Sequence, residues 1–195
     1  MKIRLLAATV ALVVSGAAHA ELFKFNQAGT VQIDGGAVRN ATLNLLCSPD
    51  ADGGALSIEL VVPEANTRKD FDYDDFEGPD APAGAKALSH LVWTGSGDSV
   101  QITHAAAGWY APEPPDSFMF GISQMSHQRK PPAKLVAATA SGAGKLVWTQ
   151  TGFDRASRQL VATFEFDATT GRRCTRPPRA ACRSIRRKIR PRNSA

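Results

Sequence analysis

Short runs in which apolar and polar residues alternate recur along most of the chain. In one run, Leu56, Ile58, Leu60 and Val62 occupy every second position. Successive side chains of a β-strand point to opposite faces, so this spacing predicts a half-buried strand and not a helix. The segments with this character are 31–33, 41–47, 56–62, 91–94, 100–104, 118–122, 146–149 and 160–166.

Turn-forming residues separate these runs. Gly35-Gly36 follows the first run, and the segments 48–54 and 95–98 are dense in Gly, Pro, Asp and Ser. Such residues favour the tight connections of antiparallel hairpins. Two short stretches, Ala81–Leu91 and Ala133–Ala138, are helix candidates. We therefore expect a mainly β protein with a single antiparallel β-sandwich or curled sheet and one or two short helices.

The first twenty residues have the pattern of a removable export signal. Lys2 and Arg4 precede an apolar stretch over 5–14, and Ala18-His19-Ala20 places small residues where a signal peptidase cleaves. The apolar stretch is too short to span a bilayer, and none of comparable length follows it. We expect residues 1–20 to be a signal peptide and the protein to be periplasmic or secreted, without a membrane span.

Charge divides the remainder into a β-rich domain, 21–170, and a basic tail, 171–195. All 18 acidic residues lie before residue 168, and ten basic residues lie between Arg172 and Arg192. The body thus carries a formal charge of −7 and the tail +10. This distribution argues against a nucleic-acid-binding domain. Three interpretations of the tail remain open: out-of-frame translation of GC-rich DNA, a disordered tail, or a segment that binds anionic polymers or lipids. In each we expect it not to pack on the domain.

An acidic run between residues 70 and 80 is a candidate ligand site. Asp70, Asp72 and Asp74 alternate as in a calcium-binding loop, but Asp75 and Ala81 stand where an EF-hand requires Gly and Glu. An EF-hand is therefore excluded. The run is interpreted as a solvated loop with its aromatic residues packed inward, as a different Ca²⁺ site, or as a recognition surface for a basic partner.

Two further segments have the composition of a recognition surface. Trp109 and Tyr110 lie beside a proline-rich stretch, and Arg129 and Lys130 lie in a second predicted loop. Aromatic side chains bury a large area for little conformational entropy, which suits binding. The alternative is that Trp109 and Tyr110 cap one end of the sheet.

Three cysteines are an odd number for an exported protein. Cys47 lies on the predicted inward face of its strand, whereas Cys174 and Cys182 lie in the basic tail. A disulfide between Cys47 and Cys174 would close a very long loop and stabilise the fold by about 5 kcal/mol.

No catalytic motif is present. The chain has no G-x-S-x-G elbow, no S-x-x-K and no phosphate-binding glycine loop, and its histidines lack metal-ligand spacing. We therefore expect an exported, non-enzymatic binding or interaction protein whose partner is an envelope protein or polymer. The alternatives are a secreted hydrolase with a site that no motif marks, and a Ca²⁺-stabilised structural module.

Overall fold

The computed structural model describes most of the chain between Phe23 and Asp167. The described residues are 23–48, 55–95, 97, 99–111, 114, 116–125, 131–139, 142–154 and 158–167. Nine β-strands make up most of this region, and they are β1 Phe23–Ile33, β2 Arg39–Ser48, β3 Ala55–Val62, β4 Ser89–Gly95, β5 Ser99–His104, β6 Ala107–Ala111, β7 Ser117–Met125, β8 Gly144–Thr151 and β9 Gln159–Phe166. The helices are α1 Ala65–Arg68, a 3₁₀ turn at Tyr73–Phe76, and α2 Pro131–Thr139.

The strands form one antiparallel sheet that curls into a half-barrel. Their order is β5-β4-β8-β9-β1-β2-β3-β7-β6. Helix α2 contacts β4 and β5 near one edge of this sheet and β3 and β7 near the other, which requires the sheet to bend around the helix. The prediction of a mainly β, antiparallel fold with short helices is confirmed, and the curled sheet is the form it takes.

The predicted alternation places one apolar face inside the curl. Leu43 pairs with Leu60, and Leu60 pairs with Phe120, so the same face continues from strand to strand. Every second residue of these strands is buried. The largest fully buried side chains are Trp93, Trp148, Phe76, Phe118, Phe120, Phe164, Leu43, Leu56, Ile58, Leu60, Leu91 and Ile122. Burial of this face supplies the main driving force for the fold.

Two sequence-based expectations differ from the structure. The candidate helix Ala81–Leu91 consists of turns up to Leu88, after which β4 begins. Pro82 and Gly84 lie in this segment, and both disfavour a helix interior. In contrast, Ala107–Ala111, for which no strand was predicted, forms the edge strand β6. The second helix candidate is confirmed as part of α2.

The connection between β3 and β4 folds back against the inner face of the sheet. Its aromatic residues Phe71, Tyr73 and Phe76 are each at most 3% exposed, which confirms the expected inward packing. Phe76 and Phe71 contact Phe120 at ring-centroid distances of 5.3 and 6.1 Å, and Tyr73 lies 5.1 Å from Phe118. These contacts fix the acidic residues that alternate with the rings.

The buried side chain of Arg39, at the start of β2, holds the β3–β4 connection by hydrogen bonds. Arg39 donates hydrogen bonds to the Pro63 carbonyl at 3.0 Å and to the Asp70 carboxylate at 2.9 Å. Arg158 donates a further bond to the Asp70 backbone carbonyl at 2.9 Å. The Tyr73 hydroxyl also donates to Asp70, and burial raises the pKa of Tyr73. Asp70 is thus a structural anchor at this point of the fold.

Several predictions fall on residues that the structure does not describe. They include the signal peptide, the basic tail, and the Cys47–Cys174 disulfide, of which only the Cys47 backbone is described. These stay predictions. No helix among the described residues is long and apolar enough to cross a membrane.

Candidate functional site

A cavity of about 440 Å³ opens beside the edge strand β6 and the acidic connection. We call it the acidic pocket. Its walls combine carboxylates with aromatic rings, a composition that differs from the apolar interior of the sheet. The lining residues are Ala65, Asn66, Lys69, Phe71, Asp72, Tyr73, Asp74, Asp75, Tyr110 and Asp154. A volume of this size lies within the usual range of small-ligand sites, roughly 300–1,000 Å³.

The register of β6 places Tyr110 in the pocket. Tyr110 pairs with Phe118, whose ring lies 5.0 Å away on the inner face of the sheet. The Tyr110 hydroxyl donates a hydrogen bond to Asp74 Oδ1 at 2.7 Å. Burial and this hydrogen bond raise the pKa of Tyr110, so the phenol stays protonated and keeps its role as donor.

Asp72 has an unsatisfied carboxylate oxygen. Its Oδ2 atom is inaccessible to solvent and accepts no hydrogen bond from any described residue. An unpaired buried acceptor costs about 1–3 kcal/mol, so it is a feature that needs an explanation.

Asp75 is a carboxylate of the pocket with a raised pKa. Burial raises its pKa, and the negative charges of Asp154, Asp72 and Asp74 raise it further. Four carboxylates and the one ammonium group of Lys69 leave the lining with a formal charge of −3. Like charges held together in this way attract a cation, which would relieve their repulsion.

The predicted calcium ligands are divided between two environments. Asp72 and Asp74 line the acidic pocket, whereas Asp70 does not and is paired with Arg39. Over the described ranges, no three or more His, Cys, Asp or Glu side chains form a group suited to a metal ion. Ca²⁺ binding itself stays a prediction for titration to test.

The predicted aromatic pair is divided as well. Because adjacent residues of a strand point to opposite faces, Tyr110 faces the pocket and Trp109 faces the outer surface. The indole edge of Trp109 lies over Gly121, where an added Cβ would be 2.9 Å from Cη2, and the side chain remains 37% exposed. Arg129 and Lys130 lie outside the described residues.

The described histidines are not in the pocket. His90 contacts Thr103 on the outer face of the sheet, and His104 donates from Nδ1 to the Ala105 carbonyl at 2.7 Å. In the part of the chain that the structure describes, neither serine nor histidine lines the acidic pocket. The triad chemistry of the hydrolase alternative is therefore not assembled there.

Asp154 and Lys69 line the pocket although the sequence patterns did not indicate them. Asp75 belongs to the acidic run, but the sequence indicates only that it stands where an EF-hand requires Gly. Asp154 lies far away in the chain, in the connection between β8 and β9, and nothing in its local sequence marks it. The β8–β9 connection meets the acidic run in the fold, where Arg158 donates a hydrogen bond to the Asp70 backbone carbonyl at 2.9 Å.

No known protein family, curated protein or solved structure matches this chain significantly.

Proposed function

We propose that this chain is an exported, non-enzymatic binding protein that recognises a positively charged group of its partner in the acidic pocket. The observation that carries the proposal is the convergence of Asp72, Asp74, Asp75 and Asp154 on one cavity. Carboxylates at such density repel one another, so the fold loses stability unless a cation balances them.

The surroundings of the pocket support binding more than catalysis. Its walls are held by the aromatic cluster and by the Arg39–Asp70 ion pair, which give a preformed site. A preformed site loses little conformational entropy when a ligand binds. The negative charge of the body also favours encounter with a basic partner over long range.

Export is supported by the leader sequence. Lys2, Arg4, the apolar stretch 5–14 and the Ala18-His19-Ala20 site predict cleavage after residue 20. An envelope protein or polymer with basic groups is the partner class that this location provides. Mass spectrometry of the chain isolated from a bacterial periplasm tests this step, since a mature form beginning at Glu21 is expected.

The binding step is tested by a titration that detects any class of cation. Calcium chloride, spermidine and Nα-acetyl-lysine methylamide would each be added to ¹⁵N-labelled chain at constant ionic strength. We expect at least one to shift the amide signals of residues 72–75 and Tyr110 saturably. Asp154→Asn should weaken this response, and Asp80→Asn, which changes the same charge outside the pocket, should not.

If sodium chloride alone reproduces every shift, or if no cation gives saturable shifts in this region, the pocket is not a cation site. The function proposed here would then be wrong.

A further inference from the structure

We propose that the free edge of strand β5, the side that faces away from β4, is an interaction surface for a second copy of this chain. The second copy would add its own β5 in antiparallel pairing, so that the two half-barrel sheets join across a two-fold axis. The acidic pocket lies beside β6, at the opposite end of the sheet order, so the two surfaces are separate.

The two edges of the sheet are protected differently. At β6, the Gly78 N–H donates a hydrogen bond to the Gly108 carbonyl at 2.8 Å, and Glu77 forms a β-bridge with Gly108. The β3–β4 connection therefore covers that edge. At β5, no described segment other than β4 forms a backbone hydrogen bond with residues 99–104. Unpaired N–H and C=O groups along an edge are a template for another strand.

Strand β5 also lacks the residues that keep sheet edges apart in most proteins. Its sequence over Ser99–His104, Ser-Val-Gln-Ile-Thr-His, contains no proline and no Asp, Glu, Lys or Arg. All six residues pair with β4 in continuous register, so no bulge twists the edge away. Charged side chains, prolines and bulges are the usual protection of an edge strand, so an edge without them is open to pairing.

The apolar inner face of the sheet is incompletely covered at β5. On β4, Leu91 and Trp93 are fully buried, and on β5 Ile102 is almost so. Val100 packs against the same core but remains partly exposed. A strand added beside β5 would cover Val100 and continue the apolar face, and burial of this area favours association.

The spacing of residues along β5 is self-complementary. Residues directly opposite each other in an antiparallel pair point to the same face of the sheet. When Gln101 of one copy lies opposite Gln101 of the other, Val100 lies opposite Ile102 on the inner face. On the outer face, Ser99 lies opposite Thr103. Each contact occurs twice, as two-fold symmetry requires, and apolar residues meet only apolar ones. The partner that this strand fits is therefore its own copy.

Sedimentation equilibrium of the purified chain at about 1–200 μM tests the proposal. A five-residue ladder buries less than the roughly 1,200 Å² of a standard interface, so we expect a reversible dimer with a Kd on the order of 10 μM. The average mass should rise with concentration from that of one chain toward that of two. A chain that stays monomeric throughout this range would overturn the proposal.

A pair of matched variants locates the interface. Gln101→Lys places two like charges opposite each other at the two-fold axis and should weaken the dimer about tenfold. Gln159→Lys makes the same change at an exposed position of β9, which has a neighbour on both sides, and should leave the dimer unchanged. Thermal melting checks that both variants keep the fold. Equal dimerisation by the two variants would show that β5 is not the interface.

Cross-linking tests the register. Gln101→Cys should form a disulfide with its own copy under mild oxidation, because directly opposite Cβ atoms lie about 4.5–5.5 Å apart. Thr103→Cys lies opposite Ser99 of the second copy and should cross-link far less. Mass spectrometry of the linked peptides separates these disulfides from those of the three native cysteines. Equal cross-linking at both positions would contradict the pairing.

Discussion

At the scale of single residues, the acidic pocket holds several negatively charged side chains close together, and this arrangement opposes folding. Asp75 has a raised pKa because it is partly buried among Asp154, Asp72 and Asp74. Elsewhere in the described region, charged side chains are solvated or paired, as Arg39 is with Asp70. A cluster that costs stability and lines a cavity is typical of a functional site.

The raised pKa of Asp75 predicts how binding depends on pH. A cation prefers the ionised carboxylate, so affinity for the positively charged group should be greatest near neutral pH. It should fall as the pH decreases through the raised pKa of Asp75, above the ordinary value of 3.8. Calorimetry between pH 7 and pH 4 measures this. Asp75→Asn should bind more weakly at pH 7 and lose less affinity across that window.

At the scale of elements, strand alternation could be predicted and strand neighbours could not. The residues of β3 and β9 that were expected on one face are buried together. The strand β6 was missed because it is only five residues long, with Gly108 inside it and a proline-rich stretch after it. Its assignment as a strand changes the site, since it separates Trp109 from Tyr110.

The β3–β4 connection is held by an ion pair that sequence patterns do not reveal. Arg39→Met should destabilise the fold by about 1–3 kcal/mol, because it removes the buried guanidinium from the Pro63 carbonyl and from Asp70, whose side chain is 32% exposed. Amide exchange within residues 63–88 should increase most. The control is Arg68→Met, which removes an exposed ion pair with Glu64 and should change stability by less than about 0.5 kcal/mol. Equal effects in a denaturant titration would contradict the anchoring role of Arg39.

At the scale of the whole molecule, the β class followed from periodicity and turn residues, but the order of the strands in the sheet did not. The order β5-β4-β8-β9-β1-β2-β3-β7-β6 pairs the first strand with the last, β1 with β9, and this depends on contacts between residues about 130 positions apart. Asp154 reaches the acidic run through the β8–β9 connection, whose Arg158 donates a hydrogen bond to the Asp70 carbonyl. The acidic run, which supplies Asp72, Asp74 and Asp75, could therefore be recognised in the sequence. Asp154 could be assigned to the site only from the folded structure.

The basic tail is predicted to contribute nothing to the stability of the domain. Its ten positive charges repel one another, and it lacks the apolar residues to form a core. Limited proteolysis should remove it first. A chain that ends at Thr170 should keep its β circular-dichroism spectrum and melting temperature, and unfolding of that truncated chain would show that the tail is structural.

The most direct test of the pocket as a cation site compares stability with binding in one pair of variants. Asp75→Asn removes like-charge repulsion, so it should stabilise the fold by about 0.5 kcal/mol, a rise of roughly 1–2 °C in melting temperature. The same variant should bind the cation that the titration identifies about tenfold more weakly, whereas Asp80→Asn should leave affinity unchanged. Opposite signs for stability and affinity in Asp75→Asn are the predicted result. A variant that loses stability and keeps its affinity would contradict the account.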